Sequence, residues 1–127
     1  MDEKPSILIV DDEKEIRFSL ELRLGQMGFR TRIAVNGQEA IDACRDEAPS
    51  AVVMDVQMPV MDGLTALGII KDDPQLKSIP IIMLSASLPQ RRSAMAAGAR
   101  FYLVKPFSSA ALFQAINTAM REDANTD

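Results

Sequence analysis

The sequence predicts an α/β protein with a parallel sheet, because short apolar runs alternate with helically spaced apolar residues five times along 127 residues. Two further observations agree: the runs have strand length, and Gly, Pro or capping residues punctuate the helical stretches. The first strand is the continuous apolar run 7–10. Ile16, Leu20, Leu24 and Met27 then recur at helical spacing, and Gly28 stops that helix. Residues 29–35 alternate apolar side chains with Arg30 and Arg32, the pattern of a half-exposed edge strand. Asn36, with Glu39 three residues on, reads as a capping box for a helix carrying Ala40, Ile41 and Cys44. A third run at 51–54 precedes a short helix at 64–71, before Asp73-Pro74. The fourth run is 79–84, a short helix over 91–97 ends at Gly98, and the fifth run is 101–104. Ser108 caps a last helix with Leu112, Ile116 and Ala119 on one face. Residues 1–127 are expected to form one domain, with a structured core near 5–121 and a frayed polar tail at 122–127.

Composition narrows the function. Hydrophobic residues make up 47% and charged residues 25%, ordinary for a soluble globular domain. No apolar run approaches the ~18 residues that span a membrane, and the start MDEKPS lacks a signal pattern. Cys44 is the sole cysteine, so no internal disulfide forms and a reducing cytoplasm is the expected compartment. Its place on an apolar helix face marks it as a small core residue. The net charge of −4 argues against direct DNA binding, which rests on clustered Lys and Arg. Without any histidine the chain cannot itself form a phosphohistidine, so any such intermediate would belong to a partner.

Sites in open α/β sheets form at the carboxyl ends of the strands. Asp11 and Asp12 follow the first run, Asp55 the third, Ser85 the fourth and Lys105 the fifth. This edge therefore gathers three carboxylates, a hydroxyl and an ammonium. Clustered carboxylates repel one another unless a counter-charge is present, and their hard oxygens suit Mg²⁺. In a neutralised site an Asp carboxylate can attack phosphorus, with the metal, lysine and hydroxyl sharing the transition-state charge. Plainer readings exist for each residue taken singly. Asp12 with Glu15 is a capping box, Asp55 a charged strand stop, Ser85 a turn cap and Lys105 a solvated loop lysine. Their convergence on one edge favours the site.

The motifs ILIVDDE at 7–13, MDVQMPVMDG at 54–63, MLSAS at 83–87 and YLVKPF at 102–107 resemble the receiver domain of two-component response regulators over nearly the whole chain. The resemblance implies a flavodoxin-like, doubly wound sheet of order 2-1-3-4-5 with helices on both faces. It makes Asp55 the phospho-acceptor and Lys105 the partner of the phosphoryl group. Ser85 becomes the switch hydroxyl and Tyr102 the aromatic that rotates in behind it. Mg²⁺ is held by Asp12, Asp55 and the backbone carbonyl of Gln57, with Asp11 acting through a water. The Lys105–Pro106 bond is expected to be cis. The phosphodonor is a histidine kinase or histidine phosphotransfer protein. The signal leaves to a downstream protein through the face of the fourth helix, fifth strand and fifth helix. On this reading the chain is a signalling domain and not an enzyme, and Gln57 and Ser87 tune hydrolysis.

Three departures from that pattern stand out. The stretch from Ser85 to Gly98 is short and contains Pro89, so the fourth helix is expected to be short or to start late. Arg100-Phe101 replaces an acidic pair, which disfavours the charged dimer of transcription-factor receivers. Arg91, Arg92, Arg100 and Phe101 suggest a basic, partly apolar docking face for an acidic partner, or simply solvated arginines. The chain also stops soon after the fifth helix, as a stand-alone chemotaxis or phosphorelay type would, or a piece of something longer. Other classes fit less well. A haloacid-dehalogenase-like phosphohydrolase needs D-x-D after the first strand and a cap region. A flavodoxin-like cofactor binder needs a neutral phosphate loop where DDE stands. A degenerate scaffold receiver would lack site residues that are present here.

Overall fold

A computed structural model describes residues 4–124. The elements run β1 (Ser6–Val10), α1 (Lys14–Gln26), β2 (Arg30–Ala34), α2 (Gly37–Asp46), β3 (Ala51–Asp55), α3 (Gly63–Asp72), β4 (Ile81–Ser85), a 3₁₀ turn (Leu88–Gln90), α4 (Arg91–Ala96), β5 (Phe101–Val104) and α5 (Ser109–Ala124). All strand pairings are parallel, and the order is β2-β1-β3-β4-β5, the order expected from the sequence.

Every residue of β1, β3 and β4 is buried, because helices cover both faces of the central strands. The strand period of two sorts their side chains into two cores. Leu8, Val10, Val52, Met54, Ile81 and Met83 pack with Ala40, Ile41 and Cys44 of α2, Ala66, Leu67 and Ile70 of α3, and Ala94 of α4. Ile7, Ile9, Val53, Ile82 and Leu84 pack instead with Leu20 and Leu24 of α1 and with Leu112 and Ile116 of α5. At roughly 1.5–3 kcal/mol per fully buried large aliphatic side chain, these two layers are the main stabilising term.

The helix starts show where local sequence acts. Asn36 accepts from the Glu39 N–H (2.9 Å), while Glu39 reaches back to the Val35 N–H (3.1 Å). Ser108 accepts from the Ala111 N–H (3.0 Å), as expected. The Asp12–Glu15 capping box does not form: the cap position falls on Glu13, which makes no side-chain cap bond. The Asp11 carboxylate instead accepts from the Glu13 N–H at 2.9 Å. The fourth strand starts two residues later than the apolar run suggests, because Ile79 donates its N–H to Leu76 and closes a turn. The fourth helix is short and late, a 3₁₀ turn carrying Pro89 ahead of Arg91–Ala96. The last helix extends to Ala124 and takes in Glu122 and Asp123, while the rest of the expected polar tail, 125–127, lies outside the described residues.

Candidate functional site

Strands β1 and β3 lie side by side at the point where the strand order reverses, with Val10 beside Met54. Ligands gather at such switch points. One residue beyond that register, Asp11 leaves β1 and Asp55 ends β3, so two buried carboxylates come together with the exposed Asp12 beside them. Carboxylate oxygens of Asp11, Asp12 and Asp55 lie within 4.8 Å of one another. Asp55 ends paired with Leu84 and Ser85 with Val104, which brings Ser85 and Lys105 to the same edge. The expected convergence of five residues is present in space.

Lys105 is the counter-charge. Its Nζ lies 3.5 Å from Asp55 Oδ1 and 3.7 Å from Asp11 Oδ2, and its backbone N–H donates to the Ser85 carbonyl at 2.8 Å. The Lys105–Pro106 peptide is cis, as expected. Asp55 Oδ1 also accepts from the Val56 N–H at 2.9 Å. Burial pushes the Asp55 carboxyl above the usual carboxylate range, Lys105 pulls it down, and the Asp11 carboxylate pushes it up again.

An open cleft of about 270 Å³ lies over these groups, lined by Asp12, Asp55, Gln57, Ser85, Gln90 and Lys105 among others. Its donor set fits a hard divalent cation. The oxygens are carboxylates, and the fully buried Asp11 Oδ2 accepts no hydrogen bond from the described residues, leaving it lone-pair capacity that a hydrated ion would satisfy.

Ser85 is nearly fully buried and accepts from the Ser87 N–H at 3.0 Å, so the turn-cap reading is true of it as well. Tyr102 is buried against the α4 side of the sheet, and its hydroxyl donates to the Ser87 carbonyl. The residues of the suspected basic face sit in different surroundings. Arg91 and Arg92 line an open hollow of about 850 Å³ with Leu88, Pro89 and Met95. Phe101 lines a different one of about 310 Å³ with Leu103, and Arg100 pairs with Glu122 at 3.2 Å.

Two contributors were not singled out from the sequence. Gly63 packs so closely that an added Cβ would sit 2.1 Å from the Asp55 carbonyl oxygen, so only glycine lets the β3 end reach its place. Its signal was available, since it closes the 54–63 motif. Gln90 enters the cleft from a 3₁₀ turn that no periodicity marks.

Comparison with known proteins agrees with this geometry. A family model described as "Response regulator receiver domain" matches residues 7–117. The chain is 38% identical to the Transcriptional regulatory protein PrrA of Mycobacterium tuberculosis, covering 96% of this chain and 52% of that one. The chain thus spans about half the length of the curated relatives it matches. Among solved structures, a putative response regulator from Chloroflexus aurantiacus superposes with TM-score 0.90 at 31% identity, covering 94% of this chain and 99% of that one. The receiver domain of sensor histidine kinase PA1611 from Pseudomonas aeruginosa, solved with magnesium in its active site cleft, gives 0.86 at 28% identity, covering 94% and 99%.

Proposed function

The chain belongs to the response regulator receiver domain family of two-component signalling, and from that premise we propose that Asp55 is its phospho-acceptor. The carrying observation is the Lys105 ammonium placed between two buried carboxylates, Asp11 and Asp55, at the mouth of a cleft. A carboxyl group buried in its neutral form would not need such a partner. A nucleophile that must stay ionised and then carry a phosphoryl group does.

With Oδ1 held by the Val56 N–H and Lys105, attack falls to Oδ2. A phosphorus–oxygen bond forms to Asp55 as the phosphorus–nitrogen bond of a donor phosphohistidine breaks, with donor and acceptor in line. The phosphohistidine comes from a histidine kinase or a histidine phosphotransfer protein, since this chain has no histidine. Mg²⁺ supplies charge neutralisation of the phosphoryl oxygens when bound, and Asp12, Asp55 and the Gln57 carbonyl would hold it, with Asp11 acting through a water. Lys105 pairs with the phosphoryl group once Asp55 has lost its own charge to the acyl phosphate. Ser85 turns its hydroxyl to a phosphoryl oxygen, and Tyr102, tied to the same loop through Ser87, follows it. The face of α4, β5 and α5 carries the change to a downstream protein. On this reading the chain is a switch that is itself modified, not an enzyme that turns over substrate. It acts on proteins in the cytoplasm and not on DNA; among the described residues no helix is long and apolar enough to cross a membrane.

The test is incubation with Mg²⁺ and a small phosphodonor, read by intact mass. Wild type is expected to gain about 80 Da, one phosphoryl unit, and Asp55→Asn to gain nothing. A gain in both, or in neither, overturns the reading.

A further inference from the structure

We propose that Gln90 is a latch on the switch, its side-chain carbonyl competing with the phosphoryl group for the single hydrogen of the Ser85 hydroxyl. The proposal rests on the phospho-acceptor reading and adds a positioning residue to it.

A serine hydroxyl has one hydrogen to give and lone pairs to receive. Ser85 is 3% exposed, so its hydroxyl depends mainly on partners around the cleft. The lone-pair side is taken by the Ser87 N–H at 3.0 Å. The donor side points to Gln90 Oε1 at 3.5 Å, beyond the usual range of about 2.5–3.0 Å for an O–H···O bond and therefore a weak contact. Gln90 closes the 3₁₀ turn Leu88–Gln90, and Arg91 opens α4 directly after it. One short segment is therefore tied at three places: Ser85 to Gln90, Ser87 to Ser85, and Tyr102 to Ser87.

Gln90 also lines the same cleft as Asp55 and Lys105. A phosphoryl group on Asp55 would ask for the very hydrogen that Gln90 accepts. A charged phosphoryl oxygen makes the stronger hydrogen bond, so phosphorylation wins the competition. It wins only by taking the hydrogen from Gln90, which frees the turn that starts α4. Gln90 thus sets the resting population of the switch and passes its change to α4. Because its bond to Ser85 is long and uncharged, the latch is worth about two- to tenfold in that equilibrium.

The chain has one tyrosine and no tryptophan, so its intrinsic fluorescence reports Tyr102 alone. The test titrates the full chain with beryllofluoride, a phosphoryl mimic, in excess Mg²⁺ and follows that signal. Gln90→Leu is expected to lower the half-response concentration about two- to tenfold. Gln90→Glu, whose carboxylate holds the hydrogen more firmly, is expected to raise it. A merely damaged fold would move both variants the same way. In a Ser85→Ala background, Gln90→Leu is expected to change nothing, because the contested hydrogen is gone. Shifts of equal sign, no shift in either variant, or a Gln90→Leu effect that survives Ser85→Ala would each overturn the proposal. A wild type that neither responds nor gains phosphoryl mass would instead overturn the phospho-acceptor reading beneath it.

Discussion

Burial pushes the Asp55 carboxyl above the usual carboxylate range, the Lys105 ammonium and the Val56 N–H pull it down, and Asp11 adds a push of its own. An acid whose folded pKa exceeds its unfolded one stabilises the fold in acid, and that contribution is lost as pH rises through the folded value. At neutral pH the ionised Asp55 therefore opposes folding. Asp55→Asn keeps the shape and removes the charge, so in metal-free buffer it is expected to melt roughly 2–6 °C above wild type. The gap narrows on acidification, as the wild-type carboxyl takes its proton in the folded state. Calorimetry across the acid range reads both effects, and an Asn variant melting lower at neutral pH would contradict them. Gln57 and Ser87 line the same cleft, through which water would reach an acyl phosphate on Asp55. Gln57→Ala and Ser87→Ala are each expected to change the decay of the phosphorylated mass. Decay at the wild-type rate would remove them from the tuning role.

Among the elements, the loop from β3 to α3 bears the most strain. Val60 holds φ 69° while 85% exposed, a left-handed conformation that a β-branched residue rarely adopts. Asn tolerates that region without glycine's entropic cost, so Val60→Asn is expected to stabilise the protein by about 0.5–1.5 kcal/mol in urea unfolding. Gly63→Ala, three residues on, is expected to cost about 1–3 kcal/mol and to slow phosphorylation, because its methyl displaces the Asp55 carbonyl. Wild-type stability and rate in that variant would mean that the β3 end yields freely. The same scale shows what the sequence makes legible. Five strands are legible because each central strand is an apolar run that a site residue follows, while their order is implied only by the motif resemblance. Boundaries were less so: Ile79 is buried like a strand residue, yet its backbone closes a turn. Arg32 was read as an outward edge residue, but its guanidinium bonds the Ala43 and Glu47 carbonyls at the end of α2. Gln90 carried no signal, since one polar residue in a 3₁₀ turn has no period to betray it.

Across the whole molecule, charge is segregated along the chain. Residues 74–121 hold Lys77, Arg91, Arg92, Arg100, Lys105 and Arg121 but no Asp or Glu, and most of the acid lies before them. The site joins the two halves, with carboxylates from the first and Lys105 from the second. A bound divalent cation would tie the ends of β1 and β3 together, and Cys44 offers a distant reporter of that effect. Cys44 lies in α2, is 2% exposed, and burial pushes its thiol up to about 11. Alkylation near pH 8 consequently requires an opening that exposes the thiol and restores its acidity. Cys44 shares its core with Met54 and Val56, the neighbours of Asp55 on either side. An opening that releases Cys44 dismantles that core, and the cation site with it. Mg²⁺ at tenfold excess over its dissociation constant is then expected to slow iodoacetamide labelling about elevenfold, the linkage factor for a ligand that binds only the folded form. Asp55→Asn removes one of the carboxylates proposed to hold the cation, so in it the slowing is expected to vanish. Labelling of wild type that ignores Mg²⁺ would show instead that α2 opens by itself while the carboxylate edge stays assembled.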